Sequence, residues 1–466
     1  MTDLSLAIST PHHRQLRESM FPGNGHEAGA IVLCGVSEVG ACPWTNRRQR
    51  RYLTREVIPI PASDVVSSSD RHFEWRKARF LTAYKQARED NLAIAFVHSH
   101  RGIHAFFSDV DDQNDHALAE LVGHRQAPRP DLLSFVIDER GRTVASQLCS
   151  PAEFHDVQRI LDYGPDLWRV SKADDAPFDD DVFNRQVLAF GPDFLPALHE
   201  LRIVIVGAGA TGSAVLSLLM RLGAHYVAII DPQTIDDTNT TRIHGSCRSD
   251  GANAVAKVTV AQRMVDQSEF DVQLRTYTHF VTDVEVRDVL KSADVVMGCT
   301  DDHEGRLLLN RLSYFYNVPL IDMGILIDPV RVRENFIRMA DGRVTVVAPG
   351  VPCLVCRGVV DTVIAREQHL KRTNPAEYGV REAQGYILNA GGVAPSVITL
   401  TTEIACRAVD ELTTRLTGYR SPADHVVRKF VSRTDRVPAP ITRSCGICGG
   451  SNWGRGDITP FLDRMN

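Results

Sequence analysis

A glycine-rich loop at residues 207–212 constrains the fold of this chain more than any other feature. Its sequence, Gly-Ala-Gly-Ala-Thr-Gly, follows the apolar run Arg202–Val206 and precedes an amphipathic stretch. This order is typical of a parallel sheet with crossover helices, because the glycines permit a tight turn and a close approach of helix to strand. The loop also interrupts the uncharged run 203–220, whose length alone would suit a membrane helix.

Short apolar runs alternate with amphipathic stretches throughout the region that follows. The predicted strands are Arg202–Val206, Tyr226–Ile230, 294–297 and 318–322. We therefore expect a Rossmann-like, mostly parallel sheet. Residues 331–338 and 343–347 predict a hairpin added to that sheet, and residues 392–416 predict a long helix.

The region before this sheet has the pattern of a separate mixed α/β domain. Its predicted strands are 30–36, 52–60, 92–97 and 132–137, and its predicted helices are 73–89 and 108–122. Residues 166–181 are acidic and contain proline, which is typical of a solvated linker. The sequence thus predicts one domain over 1–165 and a second over 182–466.

Composition narrows the classes of function. The 466 residues are enough for two or three domains, and a net charge of −6 gives no general attraction to nucleic acid or to anionic membranes. The first residues lack a basic segment followed by an apolar core, so we expect no secretory signal and a cytoplasmic protein. Ten cysteines are too few for a disulfide scaffold in a chain of this length.

Side chains near residue 100 form a pattern that suits zinc. His98 and His100 alternate at the end of a predicted strand, so both point to one face. If Ser108 caps the next helix, Asp111 lies one turn inside it and faces back. Three ligands leave one coordination position for water, as hydrolysis requires, and Glu27 at the entry to another strand could act as general base.

These residues together resemble the JAB/MPN family of zinc isopeptidases. The family pattern is a Glu that opens a strand, then His-x-His, seven residues, Ser, two residues and Asp, and the match covers residues 15–150. The resemblance implies that Glu27 accepts a proton from water and that Ser108 helps stabilise the oxyanion. It implies that one catalytic zinc is held by His98, His100 and Asp111.

One residue departs from the family pattern, and the histidines allow an alternative interpretation. Arg101 stands where the family usually has proline, which changes the stiffness of the loop beside the metal. The His-x-His pair alone would also suit two ordinary histidines of a strand. His104 and His116 do not fit the spacing of the family pattern and are predicted to be surface residues. A domain without catalytic metal would instead serve as a docking module.

The glycine loop by itself is also compatible with an NAD-dependent oxidoreductase. Asp231 lies at the end of the second predicted strand, where a ribose hydroxyl is bound in such folds. The residues that follow fit hydride transfer poorly, since their charges suit a triphosphate with magnesium. These residues are Asn239, Arg242, Lys257, Asp301 and Arg306.

This second set resembles the ThiF family of adenylyltransferases, which are related to ubiquitin-activating enzymes and to activators of sulfur-carrier proteins. The resemblance spans residues 183–448 and implies ATP and magnesium as cofactors, a ubiquitin-like protein as partner, and a homodimer in which Arg185 reaches the neighbouring nucleotide. Departures from the family are Gln233, where a second Asp is common, and Ile243, where Gln is frequent. The implied nucleotide contacts are Gly207, Gly209, Gly212, Asp231, Asn239, Arg242, Lys257 and, for magnesium or ATP, Asp301.

Cysteine spacing predicts a second, structural zinc site. The ligands would be two Cys-x-x-Cys pairs, Cys353 with Cys356 and Cys445 with Cys448. Many ThiF relatives carry a thioester-forming cysteine in the crossover between such pairs, and residues 357–395 contain none here. The weak candidates are Cys247, in a polar loop, and Cys406, in an apolar helix and therefore predicted to be buried.

The sequence therefore predicts a zinc isopeptidase fused to an adenylyltransferase, both acting on one ubiquitin-like protein. The first activity would trim or remove the modifier, and the second would adenylate its C-terminal glycine. A conjugating enzyme or another protein thiol would accept the product. The resemblances imply a bacterial ubiquitin-like conjugation or antiphage system.

Overall fold

The structure is a computed structural model that describes residues 2–70, 72–102, 106–125, 127–172, 181–330, 336–384, 395–439, 441, 444–458 and 461. The chain forms two compact units. The first comprises Met1–Ala176, Tyr314–Asn317 and Gly450–Phe461, and the second comprises Pro177–Ser313, Val318–Gly449 and Leu462–Asn466. The domain boundaries predicted from the sequence instead group residues 450–461 with the second domain.

The first unit is built on a mixed sheet. Its elements are β1 (Thr2–Ile8), α1 (Thr10–Met20), β2 (Gly29–Val39), β3 (Arg48–Pro59), β4 (Val65–Ser68), β5 (Phe73–Trp75), α2 (Ala78–Glu89), β6 (Ala93–Ser99), α3 (Asp109–Gly123), β7 (Leu132–Ile137), β8 (Thr143–Cys149), β9 (Phe154–Asp156), β10 (Arg159–Tyr163) and β11 (Trp168–Lys172). The main sheet has the strand order β11-β10-β1-β3-β2-β6-β7-β8-β9, and β4 and β5 form a separate hairpin.

Alternation along the central strands builds a core on each face of this sheet. In β6, Ala95 and Val97 pack with Leu16 and Met20 of α1, as members of one apolar cluster. Phe96 packs on the opposite face, in a cluster that includes residues of α2 and α3. His98 continues the face of Phe96, because side chains two residues apart point the same way.

The segment 450–461 packs within the first unit through backbone and carboxylate contacts. Asp457 accepts hydrogen bonds from the backbone N–H of Glu38 at 2.7 Å and from the hydroxyl of Tyr316 at 2.9 Å. The backbones also approach closely, since a Cβ atom built on Gly35 would lie 1.9 Å from the carbonyl oxygen of Gly454. Glycine at position 35 is therefore required by this contact.

The second unit is a doubly wound sheet with an antiparallel extension. Its elements are α4 (Asn184–Phe190), α5 (Phe194–Glu200), β12 (Arg202–Val206), α6 (Ala210–Leu222), β13 (Tyr226–Ile230), α7 (Arg248–Ala252), α8 (Lys257–Asp266), β14 (Gln273–Tyr277), α9 (Arg287–Ser292), β15 (Val295–Gly298), α10 (His303–Phe315), β16 (Leu320–Val330), β17 (Phe336–Val347), α11 (Thr362–Thr373), α12 (Pro375–Ala383), α13 (Ile398–Thr417), β18 (His425–Lys429) and β19 (Thr434–Arg436).

The strand order of this sheet places a ligand crevice beside β12. The order is β14-β13-β12-β15-β16-β17-β18-β19, and the pairs from β14 through β16 are parallel. Successive strands are added on one side of β12 and then on the other, so the order reverses between β12 and β15. Ligands of such sheets bind outside the carboxyl ends of the strands at this reversal.

The expected fold class is confirmed, but several predicted elements are wrong in detail. The predicted strands Arg202–Val206 and Tyr226–Ile230 have the observed bounds. Helix α2 begins at Ala78, because Phe73–Trp75 forms β5 instead. The predicted linker 166–181 contains β11, which pairs with β10, and its residues 173–180 lie outside the described part of the chain.

The predicted hairpin and long helix also differ from the structure. Residues 336–347 form one continuous strand, β17, so the turn expected between 338 and 343 lies inside a strand that pairs with β16. Helix α13 begins at Ile398, and residues 392–394 of the predicted helix lie outside the described residues. Of the helices in the described segments, none has the length and apolar character needed to cross a bilayer.

The contact at Gly35 gives a test of the first unit. We expect Gly35→Ala to lower the free energy of unfolding of this unit by about 1–3 kcal/mol, because the added methyl group overlaps the backbone of residue 454. Gly379→Ala in α12 is the control, since its Cβ would meet nothing within 4 Å and alanine favours a helix. Urea denaturation measures both, and equal stability of the two variants would contradict the prediction.

Candidate functional sites

The structure brings His98, His100 and Asp111 together at one end of β6. The Nε2 atoms of the two histidines are 3.0 Å apart. Asp111 Oδ1 lies 3.0 Å from His98 Nε2, and Asp111 Oδ2 lies 3.3 Å from His100 Nε2. Zinc bonds of about 2.0–2.1 Å in tetrahedral directions would separate such ligand atoms by about 3.3 Å. The donor set therefore fits a zinc ion with one further position.

The electrostatics of this cluster also suit a cation. Burial favours the neutral form of Asp111, but hydrogen bonds from His100, His98 and Ser108 outweigh it and hold the pKa of Asp111 well below its usual range. Burial lowers the pKa of His100, yet the contact with Asp111 prevails and raises it. The cluster thus combines a fixed negative charge with two imidazole nitrogens, which are good ligands for a divalent ion.

Ser108 caps helix α3 and orients Asp111. Its hydroxyl donates a hydrogen bond to Asp111 Oδ2 at 2.6 Å, and its backbone N–H donates to the same oxygen at 2.8 Å. The N–H of Asp111 in turn donates to Ser108 Oγ at 3.3 Å, which completes a capping box. The expected helix cap is therefore present, and it fixes the carboxylate that faces the histidines.

Glu27 lies beside the same cluster, just before β2. Strand β2 pairs antiparallel with β6, with Gly29 opposite His98. The side chain of Glu27 is buried, and this burial raises the pKa of its carboxyl group, while the nearby His100 and His98 partly oppose the shift. A carboxylate with a raised pKa next to a metal site is suited to accept a proton from water.

In the second unit, the carboxylate of Asp231 binds the backbone of the glycine loop. Its Oδ2 accepts a hydrogen bond from the N–H of Ala208 at 2.7 Å, and its Oδ1 accepts from the N–H of Gln233 at 2.8 Å. The loop passes from β12 into α6 with Gly207 at φ 99°, a conformation that favours glycine. A Cβ atom at Gly212 would lie 1.8 Å from the carbonyl oxygen of Gly207, so the helix begins in close contact with the loop.

Gly209 lies on the side of this loop that no other part of the described protein covers, which is called its open face. A Cβ atom built there would meet nothing within 4 Å. Gly207, by contrast, faces the residues after β15, since its Cβ would lie 2.8 Å from the carbonyl oxygen of Cys299. The loop therefore adjoins the segment that leads to Asp301, and it begins a helix whose free N–H groups suit a phosphate.

Three polar residues follow β13 in the chain. Asn239 and Arg242 lie in the loop after this strand, and Lys257 is the first residue of α8. The ammonium of Lys257 donates a hydrogen bond to Gln233 Oε1 at 2.6 Å, and its backbone N–H donates to the carbonyl of Gln233 at 3.0 Å. Asn239 is buried, and its carbonyl accepts from the N–H of Arg242 at 3.0 Å. Gln233, which stands where a second Asp is common in the ThiF family, is therefore an uncharged hydrogen-bond partner of Lys257.

Asp301 is exposed after β15, and a buried charge network holds its backbone. Arg306 donates to the carbonyl oxygen of Asp301 at 3.4 Å and pairs with the fully buried Asp322, with its Nε 3.3 Å from Oδ1. Arg343 pairs with the other oxygen of Asp322 at 2.5 Å. Arg306, whose charge was expected to serve the triphosphate, thus pairs with Asp322. The sequence signal for Asp322 is an Asp at the end of the apolar run 318–322.

The remaining candidates lie on exposed surfaces. Arg185 is exposed on α4, where the side chain of Leu188 is 86% exposed. Cys247 is exposed, as expected for a polar loop. The prediction that Cys406 is buried is wrong, because its side chain lies on the exposed face of α13. His116 is exposed, as expected, and His104 lies outside the described residues.

The four paired cysteines converge in the second unit. Cys353 Sγ lies 3.6 Å from Cys445 Sγ, and Cys448 Sγ lies 3.8 Å from the sulfurs of both Cys356 and Cys445. Tetrahedral zinc with Zn–S bonds of about 2.3 Å would separate its sulfurs by about 3.8 Å. Backbone N–H groups also approach the sulfurs, such as that of Cys356 at 3.4 Å from Cys353 Sγ. The cluster therefore fits a closed, structural zinc site.

Comparison with known protein families matches two regions of the chain. The sequence model of the ThiF family matches residues 183–442. The chain belongs to the ThiF family. Residues 9–149 match the model described as prokaryotic homologs of the JAB domain, so a JAB-type domain precedes the ThiF region.

Individual relatives match part of the chain at low identity. Ubiquitin-like modifier-activating enzyme 5 of Drosophila ananassae is 24% identical over 215 residues, which are 42% of this chain and 53% of the relative. The sulfur carrier protein ThiS adenylyltransferase of Bacillus subtilis is 28% identical over 141 residues, 30% of this chain and 42% of the relative. The chain thus spans about half the length of these curated relatives. A crystal structure of E. coli MccB matches with a TM-score of 0.43 and 16% identity, over 60% of this chain and 75% of that one.

The cysteine cluster gives a test by metal content. We expect Cys448→Ser to lose one zinc per chain and to destabilise the second unit, because binding at structural zinc sites contributes directly to the free energy of folding. Cys406→Ser, at an exposed cysteine, should keep the zinc content of the unaltered protein. Elemental analysis of the purified variants measures the difference. Equal zinc in the two variants would show that these sulfurs hold no metal.

Proposed function

We propose that this chain adenylates the C-terminal glycine of a ubiquitin-like or sulfur-carrier protein with ATP. The observation that carries the proposal is ThiF-family membership combined with the open face of Gly209, at the reversal of strand order. Two relatives, a ubiquitin-like modifier-activating enzyme and a ThiS adenylyltransferase, support the same substrate class. Family membership favours this chemistry over hydride transfer to NAD.

The residues around the glycine loop would each contact a different part of the nucleotide. Gly207, Gly209 and Gly212 would form the loop that the phosphates approach, as in related folds. Asp231, which already orients the loop, would bind the ribose. The triphosphate would contact Asn239, Arg242 and Lys257, and the exposed carboxylate of Asp301 would hold magnesium. Arg185 would reach the nucleotide of a second subunit, so we propose a homodimer.

The proposed reaction joins two anions. A carboxylate oxygen of the terminal glycine attacks the α-phosphorus of ATP, a P–O bond to the β-phosphate breaks, and pyrophosphate leaves with the electron pair. Arg242 and Lys257 would reduce the repulsion between carboxylate and triphosphate. Because residues 357–395 contain no cysteine, the acyl-adenylate would pass to a thiol of a conjugating enzyme or other acceptor protein. Cys247 and Cys406, which are both exposed, are the alternative internal acceptors.

We further propose that the JAB-type domain is a zinc isopeptidase for the same modifier. A zinc ion held by His98, His100 and Asp111 would supply a water of lowered pKa. Glu27 would accept the proton of that water and return it to the leaving amine. The hydroxyl of Ser108, which donates to Asp111 Oδ2 in the structure, would turn from that acceptor to donate a hydrogen bond to the developing oxyanion. The complete donor set favours this function over a docking module that lacks metal.

The two activities would act in sequence. Hydrolysis after a glycine creates the free carboxylate that adenylation consumes, and the same hydrolysis would also release the modifier from its targets. Such a pairing suits a bacterial ubiquitin-like conjugation or antiphage system, which is the setting we propose.

Exchange of radiolabelled pyrophosphate into ATP tests the adenylation proposal. Exchange should require a ubiquitin-like protein that ends in glycine. We expect Asp301→Ala and Lys257→Ala each to reduce it by about a hundred- to a thousandfold, because each removes a preorganised charge. Asp266→Ala is the control, since this exposed residue ends the helix that begins with Lys257 and should leave the rate unchanged. Normal exchange in Asp301→Ala would refute the role of that residue.

Cleavage of a tailed substrate tests the hydrolytic proposal. With ubiquitin-like proteins that carry a short peptide after the glycine, Glu27→Gln should slow hydrolysis by about a hundred- to ten-thousandfold, as expected for loss of a general base. Zinc content should stay the same, because Glu27 is not one of the three ligands. Glu120→Gln, an exposed carboxylate on α3, should cleave at the normal rate. A metal-free, inactive JAB-type domain would instead support docking.

A further inference from the structure

We propose that Arg101 is a positioning residue that holds Glu27 in place over the metal site. This inference rests on the proposed hydrolytic function and adds a residue to it. Arg101 occupies the position where JAB/MPN relatives usually carry proline. A guanidinium in this position can form contacts that a proline ring cannot, and the structure contains one such contact with the residue before Glu27. Ser99 contacts the residue after Glu27.

The first tether comes from Ser99, between the two histidines. Its hydroxyl accepts a hydrogen bond from the N–H of Ala28 at 3.0 Å, and its own N–H donates to the carbonyl of Ala28 at 3.0 Å. Ser99 is fully buried, so water does not compete with these bonds. The residue that follows Glu27 is thereby fixed to the strand that carries His98.

The second tether comes from Arg101. Its Nη2 donates a hydrogen bond to the carbonyl oxygen of His26 at 2.5 Å. Its Nη1 lies 3.5 Å from a carboxylate oxygen of Glu139, and its guanidinium lies 5.6 Å from the ring of Phe21. The side chain is only 21% exposed. Arg101 therefore connects the residue before Glu27 to the turn after β7 and to the end of α1.

The sequence His98-Ser99-His100-Arg101 thus alternates metal ligands with tethers of the general base. His98 and His100 present their nitrogens to the metal position, while Ser99 and Arg101 bind the two backbone neighbours of Glu27. Hydrogen bonds with a charged donor are about twice as strong as neutral ones, so the link to His26 resists displacement of this loop. A displacement of about 1 Å at a reacting group can reduce a rate by about a hundredfold.

The test compares Arg101 variants of the full chain on the tailed ubiquitin-like substrates. We expect Arg101→Ala to reduce kcat about ten- to a hundredfold with a smaller change in KM, and Arg101→Lys to recover part of the loss. Arg47→Ala is the control, since this arginine is 62% exposed in its pair with Asp3. In a Glu27→Gln background, Arg101→Ala should cause no further loss, because its effect passes through Glu27.

A second measurement does not depend on turnover. After a chelator has emptied the three-ligand site, cobalt(II) is added and its visible absorption is recorded against pH. We expect Arg101→Ala to bind one cobalt, like the unaltered protein, but to show the pH dependence of Glu27→Gln rather than that of the unaltered protein. A role in folding alone would leave the pH dependence of the folded protein unchanged.

The outcomes separate this inference from the proposed function. If the unaltered protein binds cobalt and cleaves substrate while Arg101→Ala matches Arg47→Ala in both measurements, the inference is overturned and the hydrolytic function stands. Additional loss from Arg101→Ala in the Glu27→Gln background would also overturn it. If the unaltered protein takes up no cobalt at the three-ligand site, the hydrolytic function fails and the inference fails with it.

Discussion

The proposed nucleotide site depends on one carboxylate that accepts two backbone hydrogen bonds. Asp231 binds the N–H of Ala208 in the glycine loop and the N–H of Gln233 in the segment that leads to Lys257. Backbone N–H groups inside a fold are costly to leave unpaired, and a carboxylate satisfies two of them at once. The strand end, the loop and the lysine are therefore placed by a single side chain. Because Gly207 and Gly212 already bring the loop into close contact with α6, little freedom remains in its backbone.

The first unit uses a carboxylate in a similar way. Asp111 is held by the capping box of α3, which orients its oxygens toward the histidines of β6. The capping box of Ser108 and Asp111 therefore both starts α3 and places the third candidate metal ligand beside the two histidines. The cost of burying this charge is offset by the donors around it, and a divalent cation would offset it further. In each unit, an Asp held by backbone hydrogen bonds thus connects the residues at the start of a helix to a candidate site.

The sequence predicts the parts of the fold and of the sites that depend on local spacing. Strands β12 and β13 and the cap at Ser108 follow from residues close together in the chain. The convergence of the two Cys-x-x-Cys pairs is a long-range contact, and it is predictable because each pair has the spacing of a zinc knuckle. The continuous strand β17 could not be inferred, because the glycine at position 342 suggests a turn and only pairing with β16 and β18 keeps the backbone extended. The exposure of Cys406 depends on which face of α13 packs against α6, and its apolar neighbours do not determine this. The position of Asp322 at the end of an apolar run indicates a buried carboxylate, but spacing does not indicate that Arg343 is its partner.

The distribution of positive charge distinguishes the cations that could serve ATP from those that serve the fold. Arg306 and Arg343 share the buried Asp322, so much of their charge is balanced inside the protein. Lys257 instead contacts the neutral amide oxygen of Gln233, where an Asp is common in the ThiF family. An Asp at that position would form an ion pair with the lysine and lower the potential that a triphosphate meets. The departure from the family pattern therefore leaves more of the charge of Lys257 available to an anionic ligand, whereas the charge of Arg306 is partly balanced by Asp322.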